Sequence, residues 1–342
     1  MNHNKSFERI QQSVIVKESY AGKRLDQILA LSFPDFSRSQ LQKSLKKGEV
    51  LVNNKLVPGK QKLIGGERIT IDIELEAHTE WMPENISLDI VYKDEHIIVI
   101  NKPIGMVVHP GAGNYSGTLS NALLYHFPEI NNIPRTGIVH RLDKDTSGLL
   151  VVARTLKAHT SLVEQLQNRT VHREYEAIST GIITSGATIN KPIGRNPHHR
   201  TKMAVVEDGK EAITIFNVLE KYRSHTRIRC KLKTGRTHQI RVHLSHIGAP
   251  LLGDQTYNPR LKIPNGASEE LKHLLRSFKR QALHAYKLGL IHPNTLKEVK
   301  FTVSPPSDMK ELITTLRLDI QKLHSDDKEE NEDENFNWDI DW

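Results

Sequence analysis

Residues 136–155, TGIVHRLDKDTSGLLVVART, set His140, Arg141, Asp143, Lys144 and Asp145 between two apolar runs. A carboxylate at the end of a buried strand is costly unless it is ion-paired or hydrogen-bonded. Asp143 can meet that requirement in two ways. It can cap the turn and bridge a neighbouring cation, or it can face a cleft as a preorganised carboxylate that works on a sugar or a base. A second cluster, KTGRTHQIRVHLSH, holds Arg236, His238, Arg241, His243 and His246 after the strand-like TRIRCKL. Arg236, near the strand–helix junction, is placed to pair with a buried carboxylate brought close by the fold. The histidine spacing is not HExxH and no acidic partner accompanies it, so no metal is expected. Ser147 lacks a G-x-S-x-G elbow, which argues against a Ser–His–Asp hydrolase. In VHREYEAIS, Tyr175 lies on a strand with alternate charged residues, either half-buried or facing a cleft.

These residues need a sizeable scaffold. A chain of 342 residues builds about two domains. Charged residues make up 26% and apolar ones 37%. No apolar run reaches the roughly 18 residues of a membrane span. The start, MNHNKSFERIQQS, has no apolar signal core, and the single cysteine, Cys230, excludes an intrachain disulfide. The expectation is a cytoplasmic protein. Net charge is +8, but the stretch 325–342 carries nine acids against one lysine, so the preceding 324 residues carry about +16. Such a body attracts polyanions, nucleic acid first among them.

Five segments separate: a polar, flexible N-terminus (1–17), a small compact unit (18–80), a linker (81–88), a main domain (89–324) and an acidic disordered tail (325–342). In the small unit, AGKRLDQILALSF has a helical period with Leu25, Ile28, Leu29 and Phe33 on one face. SRSQLQKSLKKG follows as a second helix, with Ser37 as N-cap and Gly48 as stop. One of its faces presents Arg38, Lys43, Lys46 and Lys47. EVLVNNKLV then reads as a hairpin turning at Asn53–Asn54, and ERITIDI as a strand. The main domain is strand-rich, with DIVY, HIIVI, GLLVVA, EYEAIS, TRIRCKL, HAYKLGLI and VKFTV, and helical patterns at 156–167, 238–247 and 307–323. The expected fold class is α+β, a mainly antiparallel mixed sheet with a small N-terminal α/β domain.

The 18–80 unit resembles the RNA-binding domain of ribosomal protein S-four, on KRLDQIL, SRSQLQKSLKKGEVLVNNK and GERITI. In the main domain INKPIGMVVHPG, GIVHRLDKDTSGLLVVA, REYEA and GRTHQIRVH occur in that order. Together they resemble the RluA-type pseudouridine synthases, over roughly residues 15 to 318. HRLDxxTSG is highly specific; the other motifs gain weight from their order. Two features depart from the family pattern: GDQTYN has Asn258 where a glycine is expected, and the acidic tail has no counterpart.

The resemblance implies an RNA uridine isomerase that breaks N1–C1′, turns the freed base and joins C5 to C1′. Nothing is oxidised and no atom is added, so no cofactor is expected. A carboxylate beside C1′ stabilises or captures its developing positive charge, as in glycoside hydrolysis. Asp143 would be that carboxylate, whether as nucleophile or as base. Tyr175 would pack against the base and help remove the C5 proton. Arg236 would pair with Asp143, keeping it ionised and oriented. Arg141 would fill the gap left by the flipped nucleotide. RNA phosphates would meet Arg38, Lys43, Lys46 and Lys47, and a second basic stretch with Arg195, Arg200 and Lys202. The resemblance also implies large-subunit rRNA as substrate, at the helix 69 hairpin loop, and nothing requires more than a monomer. Rival readings are the same chemistry on another rRNA site or tRNA, a non-catalytic RNA-binding or ribosome-assembly factor, and a hydrolase or nuclease.

Overall fold

The computed structural model describes residues 7–33, 36, 38–76, 81–111, 113–199 and 201–335; for 7–9, 38–40, 74–76 and 324–335 it describes the backbone. The chain divides into two compact units, Met1–Trp81 and Met82–Trp342. Among the described residues no helix is long and apolar enough to cross a membrane.

The first unit contains β1 (Phe7–Ile15), α1 (Leu25–Ser32), α2 (Arg38–Lys47), β2 (Val50–Val52) and β3 (Arg68–Glu76). Its sheet runs β1-β3-β2, with both pairs antiparallel. The helical stripe Leu25, Ile28, Leu29 and Phe33 is buried, joined by Leu41 of α2 and by Ile69 and Ile71 of β3. Gly48 ends α2 in the left-handed region (φ 78°). Asn53 and Asn54 reverse the chain with φ of 47° and 61°, the conformation of a tight hairpin turn. The return arm does not continue as a strand, however. Its pairing stops at Lys55, and β2 finds its ladder on β3. The expectation of a flexible segment 1–17 is corrected for residues 7–15: β1 pairs along the length of β3. Ile10 and Val14 alternate inward to the core, and the intervening polar residues mask that period in the sequence. Ser37 and residues 1–6 lie outside the described residues.

The second unit begins with 82–88, which is extended but not free. Asn121 Nδ2 donates to the Met82 carbonyl (2.8 Å) and Glu84 N–H to the Asn121 carbonyl (3.0 Å). Then come β4 (Ile90–Lys93), β5 (Ile97–Lys102), α3 (Leu119–His126), β6 (Ser147–Ala153), α4 (Leu156–Gln167) and β7 (His172–Thr180). Next are β8 (Ala187–Asn190), β9 (Ile193–Arg195), β10 (Met203–Val205), β11 (Ile213–Lys221) and β12 (His225–Leu232). The unit closes with α5 (Gln239–His246), α6 (Glu269–Ser277), β13 (Leu283–Ile291), β14 (Glu298–Thr302) and α7 (Ser307–Asn335). β9 and β10 form a separate two-stranded sheet.

The main sheet has nine strands in the order β4-β5-β6-β13-β7-β12-β11-β8, with β14 on β13. β13 meets β6 in parallel, through His284–Ser147 and Ala285–Gly148, while the other described pairs of this sheet are antiparallel. At that junction the backbones come very close. Gly148 has φ 111°, and a Cβ there would lie 2.3 Å from the Ala285 carbonyl oxygen. Only glycine fits directly after the Asp143 turn. The strand β6 that follows is buried at every position.

The expected disordered tail is corrected in part. α7 is anchored by buried Met309, Leu312, Ile313 and Leu316 and its backbone continues helical to Asn335. Once a helix is nucleated, each added residue costs little, and the glutamates of this segment are good helix formers. Residues 336–342 lie outside the described residues.

Candidate active site

Asp143 sits in a four-residue reversal between Leu142 and β6, closed by Thr146 N–H donating to the Asp143 carbonyl (3.1 Å). The reversal is fastened from elements distant in sequence. Gln281 Nε2 donates to Thr146 Oγ1 (3.1 Å), Ser147 Oγ meets His284 Nδ1 (2.9 Å), and the Lys102 ammonium donates to the Lys144 carbonyl (3.0 Å). Lys102 is fully buried at the end of β5 and also donates to the carbonyls of Pro103 (2.7 Å) and Met106 (2.9 Å). Burial lowers its pKa to about 8, against the pull of Asp145 and Asp143.

The carboxylate of Asp143 opens into a cavity of about 380 Å³ lined among others by Arg141, Lys144, His238, Arg241, Gln255 and Lys279. That volume is in the range of small-ligand pockets. Arg241, on the first turn of α5, grips two carboxylates at once. Its Nη1 donates to Asp143 Oδ2 (3.0 Å), while Nε and Nη2 donate to Asp254 Oδ2 (2.7 Å) and Oδ1 (2.9 Å). Asp254 is fully buried and also accepts from the N–H groups of Thr256 (2.9 Å) and Tyr257 (3.1 Å). The guanidinium is thus fixed from behind by a carboxylate that cannot move, and its free edge orients Asp143. Burial disfavours the Arg241 charge, but Asp254 and Asp143 more than offset that, so its pKa is raised.

The expected partner of Asp143 is therefore corrected. Arg236 precedes the helix and its Nε donates to the Glu211 carbonyl (2.9 Å). Arg241 lies three residues after His238, on the same face of α5 and toward the cavity. Helical spacing distinguishes the two arginines, because residues three apart share a face and Arg236 lies outside the helix. His238 Nε2 lies 3.9 Å from Asp143 Oδ1 and its Nδ1 is 2.9 Å from the Tyr257 hydroxyl. Asn258, where a glycine was expected, leaves this turn intact; its amide donates to Thr180 Oγ1 and the Leu251 carbonyl (both 2.9 Å).

The other charged residues take different places. His140 is structural: its Nε2 accepts the Val151 N–H of β6 (3.1 Å), and burial with nearby Arg173 pushes its pKa down to about 3. Arg141 is exposed at the cavity rim. Tyr175 is only 6% exposed and does not line the cavity. Burial raises its pKa; Arg173 opposes that rise and Asp143 adds to it, so its hydroxyl lies within the field of both groups. His243 bonds Thr214 Oγ1 and the Lys191 carbonyl (both 2.9 Å), and among the described residues no cluster of three metal-binding side chains occurs. Lys43, Lys46 and Lys47 are exposed on α2, Lys47 beside Glu49 (3.6 Å), and Arg195 is exposed on β9. Lys202 turns inward and donates to the Thr256 carbonyl (3.0 Å), so it supports the cavity wall. The Arg38 side chain and Arg200 lie outside the described residues.

Comparison with known proteins gives this geometry a family. The RNA pseudouridylate synthase family model matches residues 96–246, and the S4 domain model matches residues 23–69. The ribosomal large subunit pseudouridine synthase D of Pasteurella multocida is 52% identical over 320 residues, 93% of this chain and 98% of that protein. The chain belongs to the pseudouridine synthases. The same-named protein of Escherichia coli K12 is 51% identical over 94% of this chain and 98% of its own length. Among solved structures, human RNA pseudouridylate synthase domain containing 1 is 30% identical with a TM-score of 0.51, covering 65% of this chain and 85% of that one. Human RNA pseudouridylate synthase domain containing 4 is 27% identical with a TM-score of 0.53, covering 67% and 92%. The synthase is thus an isomerase with an N-terminal S4 RNA-binding domain, and Asp143, Tyr175 and Arg241 all lie within the span of its synthase family match.

Proposed function

We propose that this synthase converts uridines of large-subunit ribosomal RNA to pseudouridine, in the helix 69 hairpin loop, with Asp143 acting at C1′ of the flipped nucleotide. The observation that carries the chemistry is the Asp254–Arg241–Asp143 chain, which holds one carboxylate at a cavity of about 380 Å³ with Oδ1 turned away from its arginine. The oxocarbenium character that develops at C1′ as N1 departs is stabilised by a carboxylate so placed. The rRNA substrate is favoured by the two relatives that match over 98% of their length.

In this reading the target base leaves its stack at a cost of about a few kcal/mol. Arg141 at the rim takes its place in the RNA. Tyr175, buried on β7, assists removal of the C5 proton after the base has turned. Arg241 takes the orienting role first assigned to Arg236. Exposed Lys43, Lys46 and Lys47 of α2, with Arg195, meet phosphates and give binding a steep salt dependence. The synthase works in the cytoplasm, as a monomer and without a cofactor.

The test is tritium release from C5-tritiated uridine in unmodified large-subunit rRNA. Wild type should release tritium, and Asp143→Asn should release none while binding the RNA with near wild-type affinity. Turnover by Asp143→Asn would remove Asp143 from its role. Release from tRNA or small-subunit rRNA instead would overturn the substrate.

A further inference from the structure

His238 lines the cavity and is tied through its ring to a second polar side chain, Tyr257. The Met203 N–H can only donate, and it donates to the Tyr257 hydroxyl oxygen (3.0 Å). The Tyr257 hydroxyl also lies 2.9 Å from His238 Nδ1, and the arrangement that gives its one O–H an acceptor has it donating to Nδ1. An Nδ1 that accepts carries no proton, so a neutral ring carries its hydrogen on Nε2. Nε2 is the nitrogen that faces Asp143, 3.9 Å from Oδ1, too far for a direct hydrogen bond but suited to a group seated beside both. Oδ1 is also the oxygen that Arg241 leaves free.

The backbone supports the same reading. His238 is the N-cap of α5 in the left-handed region (φ 56°, ψ 22°), an arrangement that costs about 1–2 kcal/mol for a residue with a Cβ. The Tyr257 ring packs edge-on against the imidazole with centroids 5.7 Å apart. Strain of this kind persists where the surroundings fix it, and it gathers at functional sites. Burial lowers the pKa of His238; Asp143 and Asp254 oppose the shift, Arg241 and Arg141 add to it, and the net direction favours the neutral ring.

We propose that His238 is a second catalytic group of this cavity, whose neutral Nε2–H donates to uracil O2 and stabilises the negative charge on the base as N1–C1′ breaks. The inference rests on the placement of C1′ at Asp143 in the proposed function. When the bond breaks, its electron pair remains on the uracil and is shared between N1 and the carbonyl oxygens. Of those, O2 is the one adjacent to N1, so it lies beside C1′ and therefore beside Oδ1 and His238. His238 gives up no proton; it donates a hydrogen bond that strengthens as charge builds, the property that makes a fixed donor catalytic. Tyr257 acts one step behind as a positioning residue by selecting the tautomer.

The experiment uses the full chain and a hairpin RNA bearing uridine, 2-thiouridine or 4-thiouridine at the target position, with single-turnover product formation and RNA affinity as readouts. Removing one such donor costs about 100-fold in rate, so His238→Ala should show that loss on uridine and on 4-thiouridine with RNA affinity preserved. On 2-thiouridine, where the acceptor at C2 is a poor one, the wild type and His238→Ala should differ by only a few-fold. An equal loss on 2-thiouridine and uridine would overturn the proposal. Tyr257→Phe leaves the imidazole in place but frees its tautomer. It should slow uridine several-fold and 2-thiouridine hardly at all, so it decides the matter should His238→Ala not fold. A wild-type rate for Tyr257→Phe on uridine would count against the fixed tautomer and overturn the proposal. Wild-type inactivity on the uridine hairpin would instead overturn the substrate reading beneath it.

Discussion

Replacing Arg241 by lysine keeps the charge and removes the fork. The guanidinium makes three charge-assisted bonds, two to Asp254 (2.7 and 2.9 Å) and one to Asp143 (3.0 Å). A single ammonium reaches one of these carboxylates well and not both. Asp254 is fully buried, so the lysine stays with it and Asp143 loses its anchor. Asp254 keeps the N–H groups of Thr256 and Tyr257, which holds the loss of stability to about 2–3 kcal/mol, less than the cost of leaving a buried charge unpaired. The chemical step should slow by about 100-fold, the scale expected when a reacting group is misplaced by about 1 Å. Arg236→Lys supplies the contrast, since Arg236 contributes one hydrogen bond to a main-chain carbonyl, worth about 1 kcal/mol. Single-turnover pseudouridine formation at saturating enzyme, beside urea denaturation and RNA binding, reads all three quantities. If Arg236→Lys lowered the chemical step more than Arg241→Lys, the assignment of Arg241 as the anchor of Asp143 would be refuted.

Acid should destabilise the fold through its buried neutral histidines. Burial holds His225 and His109 at about 4 and His140 at about 3, with Lys262, Arg135 and Arg141, and Arg173 respectively adding to the shift. The unfolded chain takes up these protons near pH 6.5 and the folded chain does not, so stability is complete above pH 6.5 and falls as pH drops toward 4. Each histidine contributes at most about 1.4 kcal/mol per pH unit in that window. Urea midpoints from pH 7.5 to 4.5 should follow that fall, more shallowly in His225→Asn, and a flat series would contradict it. Gly148→Ala should destabilise the main unit by about 3–5 kcal/mol, because the clash with Ala285 and the strained φ act together; an unchanged denaturation midpoint would show that the β6–β13 junction can open without penalty.

Much of this architecture is legible in the chain where one physical signal dominates. The stripe Leu25, Ile28, Leu29 and Phe33 forms the core of the first unit, and the pattern at 156–167 coincides with α4. The continuous apolar run GLLVVA and the alternation in TRIRCKL give strands where they occur. Other elements give weaker signals. β11 carries Ile213, Ile215 and Val218 at positions that are only half-buried, which blurs its period. α6 carries a stripe of Leu271, Leu274 and Leu275, but within only nine residues and amid charges. At the site, Asp143 announces itself because its charge interrupts buried chain. The choice between Arg236 and Arg241 does not, because it depends on where α5 begins. Asp254 and Tyr257 are marked only as members of GDQTYN, and their roles arise from what the fold sets beside them.

The order of strands in the main sheet gives the synthase a built-in timer during its own synthesis. β13 lies between β6 and β7, yet it is made after both and after α5. Until residues 283–291 emerge, the half of the sheet that ends in the Asp143 turn has no ladder to the half that leads to Arg241, and Gln281 and His284 are not there to fasten the turn. Pairings so distant in sequence are slow to close. The nascent chain can therefore complete its S4 domain well before it owns a finished catalytic centre, and a chain cut short between that domain and β13 would lack the strand that joins the two halves of the site.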